Sequence, residues 1–121
     1  MTIFATGHLV WEAINAAEAL EAEGVSAEVI DIATIKPLDE EAVIASAKKT
    51  GAVVCAEEHN TCGGLGELIA GVLAANAPTP IEFINGADRF GQSGTPAELM
   101  KVYGLDAAHI VEAAKKAVAR K

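Results

Sequence analysis

The segment Glu57-Glu58-His59-Asn60-Thr61-Cys62-Gly63-Gly64-Leu65-Gly66 concentrates the side chains best suited to chemistry. Two adjacent carboxylates and a histidine are the residue types used for proton transfer and metal binding. A carboxylate close to His59 would favour the imidazolium and make it a proton donor. The Gly63-Gly64-Leu65-Gly66 turn offers backbone N–H groups at a helix start, an arrangement that can cradle phosphate. Each reading has a plainer rival. Successive residues at a strand end point to opposite sides, so Glu57, Glu58 and His59 do not converge on one metal. The histidines at positions 8, 59 and 109 show no H-x-x-x-H or H-E-x-x-H spacing, and no metal site is expected. The glycine pattern is not G-x-G-x-x-G, and Glu67 puts a negative charge at the phosphate seat. The acidic residue that a dinucleotide site needs about 20 positions further on is replaced by Ile84-Asn85. Gly63, Gly64 and Gly66 are therefore read first as a structural turn that lets a helix start pack close to a sheet. Asp88-Arg89-Phe90-Gly91 is either an anion or partner site through Arg89 or an internal Asp–Arg pair with Phe90 as a plug.

The elements that must position these residues alternate between strand and helix. Thr2 to Thr6 is a short strand turned by Gly7. Val10, Ala13, Ile14, Ala17 and Leu20 recur at helical spacing, with Glu12, Glu18 and Glu21 facing out and Gly24 ending the helix. Ala27 to Ile32 is a second strand. Lys36-Pro37-Leu38-Asp39 opens a helix that Asp39 caps, with Glu40 and Glu41 at the positive end of its dipole and Leu38 stapled onto Val43. That helix ends near Thr50-Gly51. Ala52 to Ala56 is a buried strand, Glu67 to Asn76 a helix, and Pro80 to Asn85 a fourth strand. Thr95-Pro96-Ala97-Glu98 has the form of a capping box for a short helix to about Tyr103. Asp106 caps a last helix carrying Ile110, Val111, Ala114 and Val118, with His109 in its first turn at the surface. Trp11 falls outside the apolar stripe of the first helix, as an interface residue or a side chain packed under a loop would.

This alternation predicts an α/β fold with three αβα layers and a mainly parallel sheet of four to five strands. A strand order of 2-1-3-4 puts the switch point between the first and third strands. The loops at Gly7-His8 and Glu57 to Gly66 then share a crevice, bringing His8 and His59 to face one another.

The whole-chain properties narrow the function. A chain of 121 residues suits one domain, residues 1–121. It is 51% hydrophobic but only 4% aromatic, so Ala, Val, Ile and Leu must build the core. A net charge of -8 repels phosphate, which argues against nucleic acid and against anionic membranes. No apolar run approaches the ~20 residues that span a bilayer. The opening residues lack the pattern of a signal peptide, and Cys55 and Cys62 form no C-x-x-C pair, so a reduced, cytoplasmic protein is expected.

Taken in order, Thr6-Gly7, Ile35-Lys36-Pro37-Leu38-Asp39, Ala56-Glu57-Glu58-His59, Gly63-Gly64-Leu65-Gly66, Asp88-Arg89-Phe90-Gly91-Gln92-Ser93-Gly94 and Tyr103-Gly104-Leu105 resemble the C-terminal domain of transketolase-like, thiamine-diphosphate-dependent enzymes. The resemblance covers essentially the whole chain and looks nearest to the C-terminal part of split or bacterial-type transketolases. The neighbouring domains of deoxyxylulose-phosphate synthase and of the β chains of 2-oxoacid dehydrogenases stay open as alternatives. It implies that thiamine diphosphate and Mg²⁺ belong to the parent enzyme and that this chain binds neither. The diphosphate-binding segment, the G-D-G…N metal motif and the cofactor-activating glutamate of the family have no counterpart here. It further implies a role in assembly, dimerisation and regulation of a ketol transferase acting on sugar phosphates, with no catalytic residue and no activity of the chain alone. The partners implied are the cofactor-binding domains or subunit of the same enzyme, in a homo-oligomer. His8, Glu58, His59, Asp88 and Arg89 are the interface or ligand candidates. The family sheet has a fifth, antiparallel strand just before the first parallel one. Here Met1 abuts the first strand, so that extra strand is expected to be missing or supplied by the rest of the enzyme. From a different class, an autonomous small-ligand-binding module using the His8/His59 crevice is the rival reading.

Overall fold

Two of the described strands, Thr-Ile-Phe-Ala and Val-Val-Cys-Ala, are buried at every position, as the inner strands of a parallel sheet covered on both faces must be. They are β1 (Thr2–Ala5) and β3 (Val53–Ala56). The computed structural model describes residues 1–7, 9–32, 40–57, 65–84 and 107–121. Half-buried β2 (Glu28–Asp31) and β4 (Ile81–Ile84) flank the inner pair, and the described strands run parallel in the order β2-β1-β3-β4. This is the order expected from the sequence. The fifth, antiparallel strand is not among the described residues.

Side-chain alternation divides the core in two. Ile3, Ala5, Val54 and Ala56 point to one face, where α1 (Leu9–Ala22) and α4 (Ala107–Ala119) cover them. Phe4, Val53 and Cys55 point to the other, under α2 (Glu40–Thr50) and α3 (Leu65–Asn76). The order demands this arrangement. The chain moves one way from β1 to β2 and the opposite way from β2 to β3 and on to β4, so a constant crossover hand puts α1 on one face and α2 and α3 on the other. The three layers and the α/β class are those expected.

Several local expectations need correction. The stripe of α1 that enters the core is Leu9, Ala13, Ala16 and Leu20; Val10 and Ala17 lie at its flank, and Ile14 is 39% exposed. The 9-13-16-20 spacing keeps one face toward both the sheet and α4, and Ile14 is rotated about 100° from Ala13. Glu12 does not simply face water: its Oε2 accepts the N–H of Ala107 at 2.9 Å and satisfies the first turn of α4. His109 is half-buried and engaged rather than a bare surface residue. Gly24 ends α1 at φ +85°, the left-handed conformation expected of it. The Asp39 cap, the Leu38 staple, the Asp106 cap and the short helix from Thr95 to Tyr103 lie outside the described residues.

Away from the switch point, a hydroxyl chain joins β1, β2 and α2. Ser46 Oγ donates to Glu28 Oε2 at 2.8 Å and lies 2.8 Å from Thr2 Oγ1, which is 2.7 Å from Thr50 Oγ1. The Ser46 proton is thus committed to Glu28, and Thr2 donates to Ser46. This explains how a strand can start with a fully buried threonine without an orphaned hydroxyl.

Candidate functional site

At the carboxyl ends of the strands the sheet finishes in a level rim. Ile32 donates its N–H to Ala5 O at 2.9 Å, Thr6 to Ala56 O at 3.3 Å and Glu57 to Ile84 O at 2.8 Å. Since α1 leaves β1 over one face and α3 leaves β3 over the other, the switch point of the sheet lies between these two strand ends, the position at which ligands of open α/β sheets bind.

Of the eight positions singled out from the sequence, the structure describes Gly66. His8, Glu58, His59, Gly63, Gly64, Asp88 and Arg89 lie outside the described residues. Their points of attachment are described, and they cluster. Residue 8 follows Gly7 at the end of β1, segment 58–64 leaves Glu57 at the end of β3, and segment 85–106 leaves Ile84 at the end of β4. Segment 85–106 rejoins the described chain at Ala107, which Glu12 ties to the first turn of α1. All three segments therefore start from one edge of the sheet.

Glu57 does not belong with Glu58 and His59 as an outward chemical group. It is 1% exposed, and its Oε1 accepts the N–H of Gly66 at 2.9 Å. A carboxylate at a helix start satisfies a donor that the helix cannot, and the charge complements the helix dipole. The sequence signal was present: Glu57 directly continues the all-buried run Val53–Ala56. Glu12 was also missed, and no local pattern signals a partner 95 residues away.

Gly66 is a close-approach glycine. A Cβ there would lie 2.6 Å from Phe83 Cδ1 and 2.9 Å from its Cε1. The first turn of α3 thus sits directly on β4. Beneath it, burial first and the Glu57 charge second push the Cys55 thiol far above its usual range. That thiol is a small core side chain, not a nucleophile. Among the described residues, no group of three His, Cys, Asp or Glu side chains is placed to hold a metal ion, and every buried side-chain N or O has a partner. Trp11, 67% exposed, and Ile14 form an uncovered apolar pair one turn apart on α1. No described helix is long and apolar enough to cross a membrane.

Residues 1–110 match the family described as transketolase, C-terminal domain. The chain belongs to that family. Over 121 residues it is 47% identical to the 6-deoxy-6-sulfo-D-fructose transketolase subunit SqwH of Clostridium sp. (strain MSTE9), covering 100% of this chain and 38% of that protein. It is 45% identical to a putative transketolase C-terminal section of Methanocaldococcus jannaschii, covering 96% of this chain and 37% of that one. A solved structure of a split gene transketolase, an inactive beta4 tetramer, superimposes with a TM-score of 0.94 at 47% identity, over 98% of this chain and 39% of that chain. The chain thus spans little more than a third of the length of these family members.

Proposed function

We propose that residues 1–121 act as one domain, the C-terminal part of a transketolase-type enzyme that moves ketol units between sugar phosphates in the cytoplasm. In this reading the chain serves assembly and oligomerisation, with scope for regulation, and performs no chemistry alone. The supporting observation is the end-to-end match, at 47% identity and a TM-score of 0.94, to a split gene transketolase of which this chain corresponds to 39%. Thiamine diphosphate and Mg²⁺ are assigned to the remainder of the enzyme. His8, Glu58, His59, Asp88 and Arg89 are assigned to the face that meets the cofactor-binding portion. Their attachment points share the carboxyl edge of the sheet, so one partner surface can meet all three segments.

The test is reconstitution. The chain, mixed with the cofactor-binding portion of the same enzyme, thiamine diphosphate and Mg²⁺, is expected to restore ketol transfer from a ketose phosphate to an aldose phosphate. The chain without that portion is expected to give none. Ketol transfer by the chain alone, or failure of the two parts to associate, would overturn the reading.

A further inference from the structure

The two edge strands of the sheet differ in character. β2 reads Glu-Val-Ile-Asp, with an acid at each end, whereas β4 reads Ile-Glu-Phe-Ile, with apolar strand formers at three of its four positions. Charged residues on an edge oppose the addition of a further strand, and an apolar edge invites it. Pairing with β3 uses only one side of β4. The carbonyls of Pro80 and Ile84 accept the N–H groups of Val53 and Glu57, so residues 80, 82 and 84 turn their backbone groups toward β3. Ile81 and Phe83 therefore turn theirs outward, and no described strand lies beyond them. Phe83 is exposed there. Arg120 reaches this outer row. Glu82 lies beside Val54 in register, so its side chain points to the face that α4 covers, and Arg120 follows the last turn of that helix. Its Nη2 donates to Glu82 Oε2 at 2.6 Å and, around the edge, to the outward Ile81 carbonyl at 2.6 Å. An ion pair at the surface adds little stability. Its larger consequence is at the edge, where a charge-assisted hydrogen bond occupies an acceptor that a new strand would need.

We propose that Arg120 guards the outer edge of β4: by holding its guanidinium on the Ile81 carbonyl, with Glu82 as anchor, it prevents β4 from pairing edge to edge with the same strand of a second copy of this chain. A second copy is the occupant to exclude because two identical edges meet about a two-fold axis without any complementary sequence. Each β4 supplies the outward groups of Ile81 and Phe83 that the other requires. The guanidinium must be withdrawn from both copies before such a pair forms, so the block acts twice. The guard does not depend on the assembly reading above, which concerns the carboxyl ends of the strands rather than this side of the sheet.

The experiment compares the wild-type chain with Arg120→Met, which keeps an aliphatic stem and removes the donors, and with Arg120→Ala should the first variant fail to fold. Amide hydrogen exchange is followed at Ile81 and Phe83 on the edge and at Ile3 and Val54 in the core, over a concentration series, with sedimentation velocity on the same samples. In the wild-type chain the edge amides are expected to exchange fast at every concentration. In the variant they are expected to become protected as concentration rises, with association tightened by about tenfold or more and the core amides unchanged at low concentration. Phe83→Pro in the variant background removes an outward N–H that β3 does not use, and is expected to abolish the association. Should that double variant not fold, Phe83→Lys places a charge on the edge to the same end. Edge amides that stay unprotected in Arg120→Met overturn the guard, as does association that survives the Phe83 substitution. Edge amides already protected in the dilute wild-type chain overturn it too, because the edge is then covered by something other than Arg120. Core amides that exchange faster in the dilute variant make Arg120 a fastener of the fold and also defeat the proposal.

Discussion

Gly66→Ala isolates the close approach of α3 to β4. The added Cβ would lie 2.6 Å from Phe83 Cδ1 and 2.9 Å from Cε1, while Cys55 Cβ at 3.7 Å is in ordinary contact. Carbon atoms settle no closer than about 3.5 Å, so the ring or the helix start must move by about 0.9 Å. Overpacking of this kind costs about 1–3 kcal/mol. Ala is preferred to Gly in a helix interior by up to about 1 kcal/mol, and by less at the second residue of α3. Phe83 is 42% exposed, so its ring has room to swing and the cost falls in the lower part of the range. The net expectation is a loss of about 0.5–1.5 kcal/mol, or a fall in Tm of about 2–6 °C for a domain of this size. Scanning calorimetry and urea titration measure it directly. A double-mutant cycle identifies the cause: in a Phe83→Ala background the clash is gone, and Gly66→Ala is expected to be neutral or slightly stabilising. A Tm that rises on Gly66→Ala alone, or a loss of the same size in both backgrounds, would refute the steric argument.

Three other perturbations follow from particular contacts. The Cys55 thiol is held protonated by burial and by Glu57, whereas in the unfolded chain it ionises above about pH 8.5. The unfolded state then binds fewer protons than the folded one, so this group removes stability as pH rises past that value. Between pH 7 and pH 10 the wild-type protein is expected to lose about 2 kcal/mol more than Cys55→Ala, and parallel pH profiles would contradict this. Ser46→Ala removes the hydroxyl between Thr2 and Glu28 and is expected to cost about 1–2 kcal/mol by urea titration, whereas no loss would show that the chain of hydroxyls carries no net stability. Trp11 is the single tryptophan and is 67% exposed, so its emission in the folded chain should already be that of a solvated indole, and Trp11→Ser should change stability by no more than about 0.5 kcal/mol. A blue-shifted folded spectrum would instead show that Trp11 is covered.

Much of the architecture was legible before any coordinates. A parallel strand covered on both faces reads as a near-continuous apolar run, as Val53–Ala56 does throughout and Thr2–Ala5 does after its first residue. Helical spacing between the strands then implies crossovers, and crossovers of one hand imply the layers. Gly24 announced its left-handed turn because glycine alone takes that conformation without penalty. The strand-to-helix corner after β3 was visible from its glycines and polar cluster.

Other assignments were set by residues far apart in the chain. Helical spacing alone did not say whether Ile14 or Ala16 enters the core, because that depends on where α4 lies against α1. Glu12 looked like one more surface acid until the fold brought Ala107 to it across 95 residues. Glu57, grouped by sequence with Glu58 and His59, turned inward because β4 holds its backbone and α3 offers an N–H to its side chain. By itself the sequence determined the order of strands and helices among the described residues, since that follows from local periodicity and apolar content. Only the tertiary structure decided which carboxylates became hydrogen-bonded fasteners, because a buried charge takes its role from partners that the fold alone brings within 3 Å.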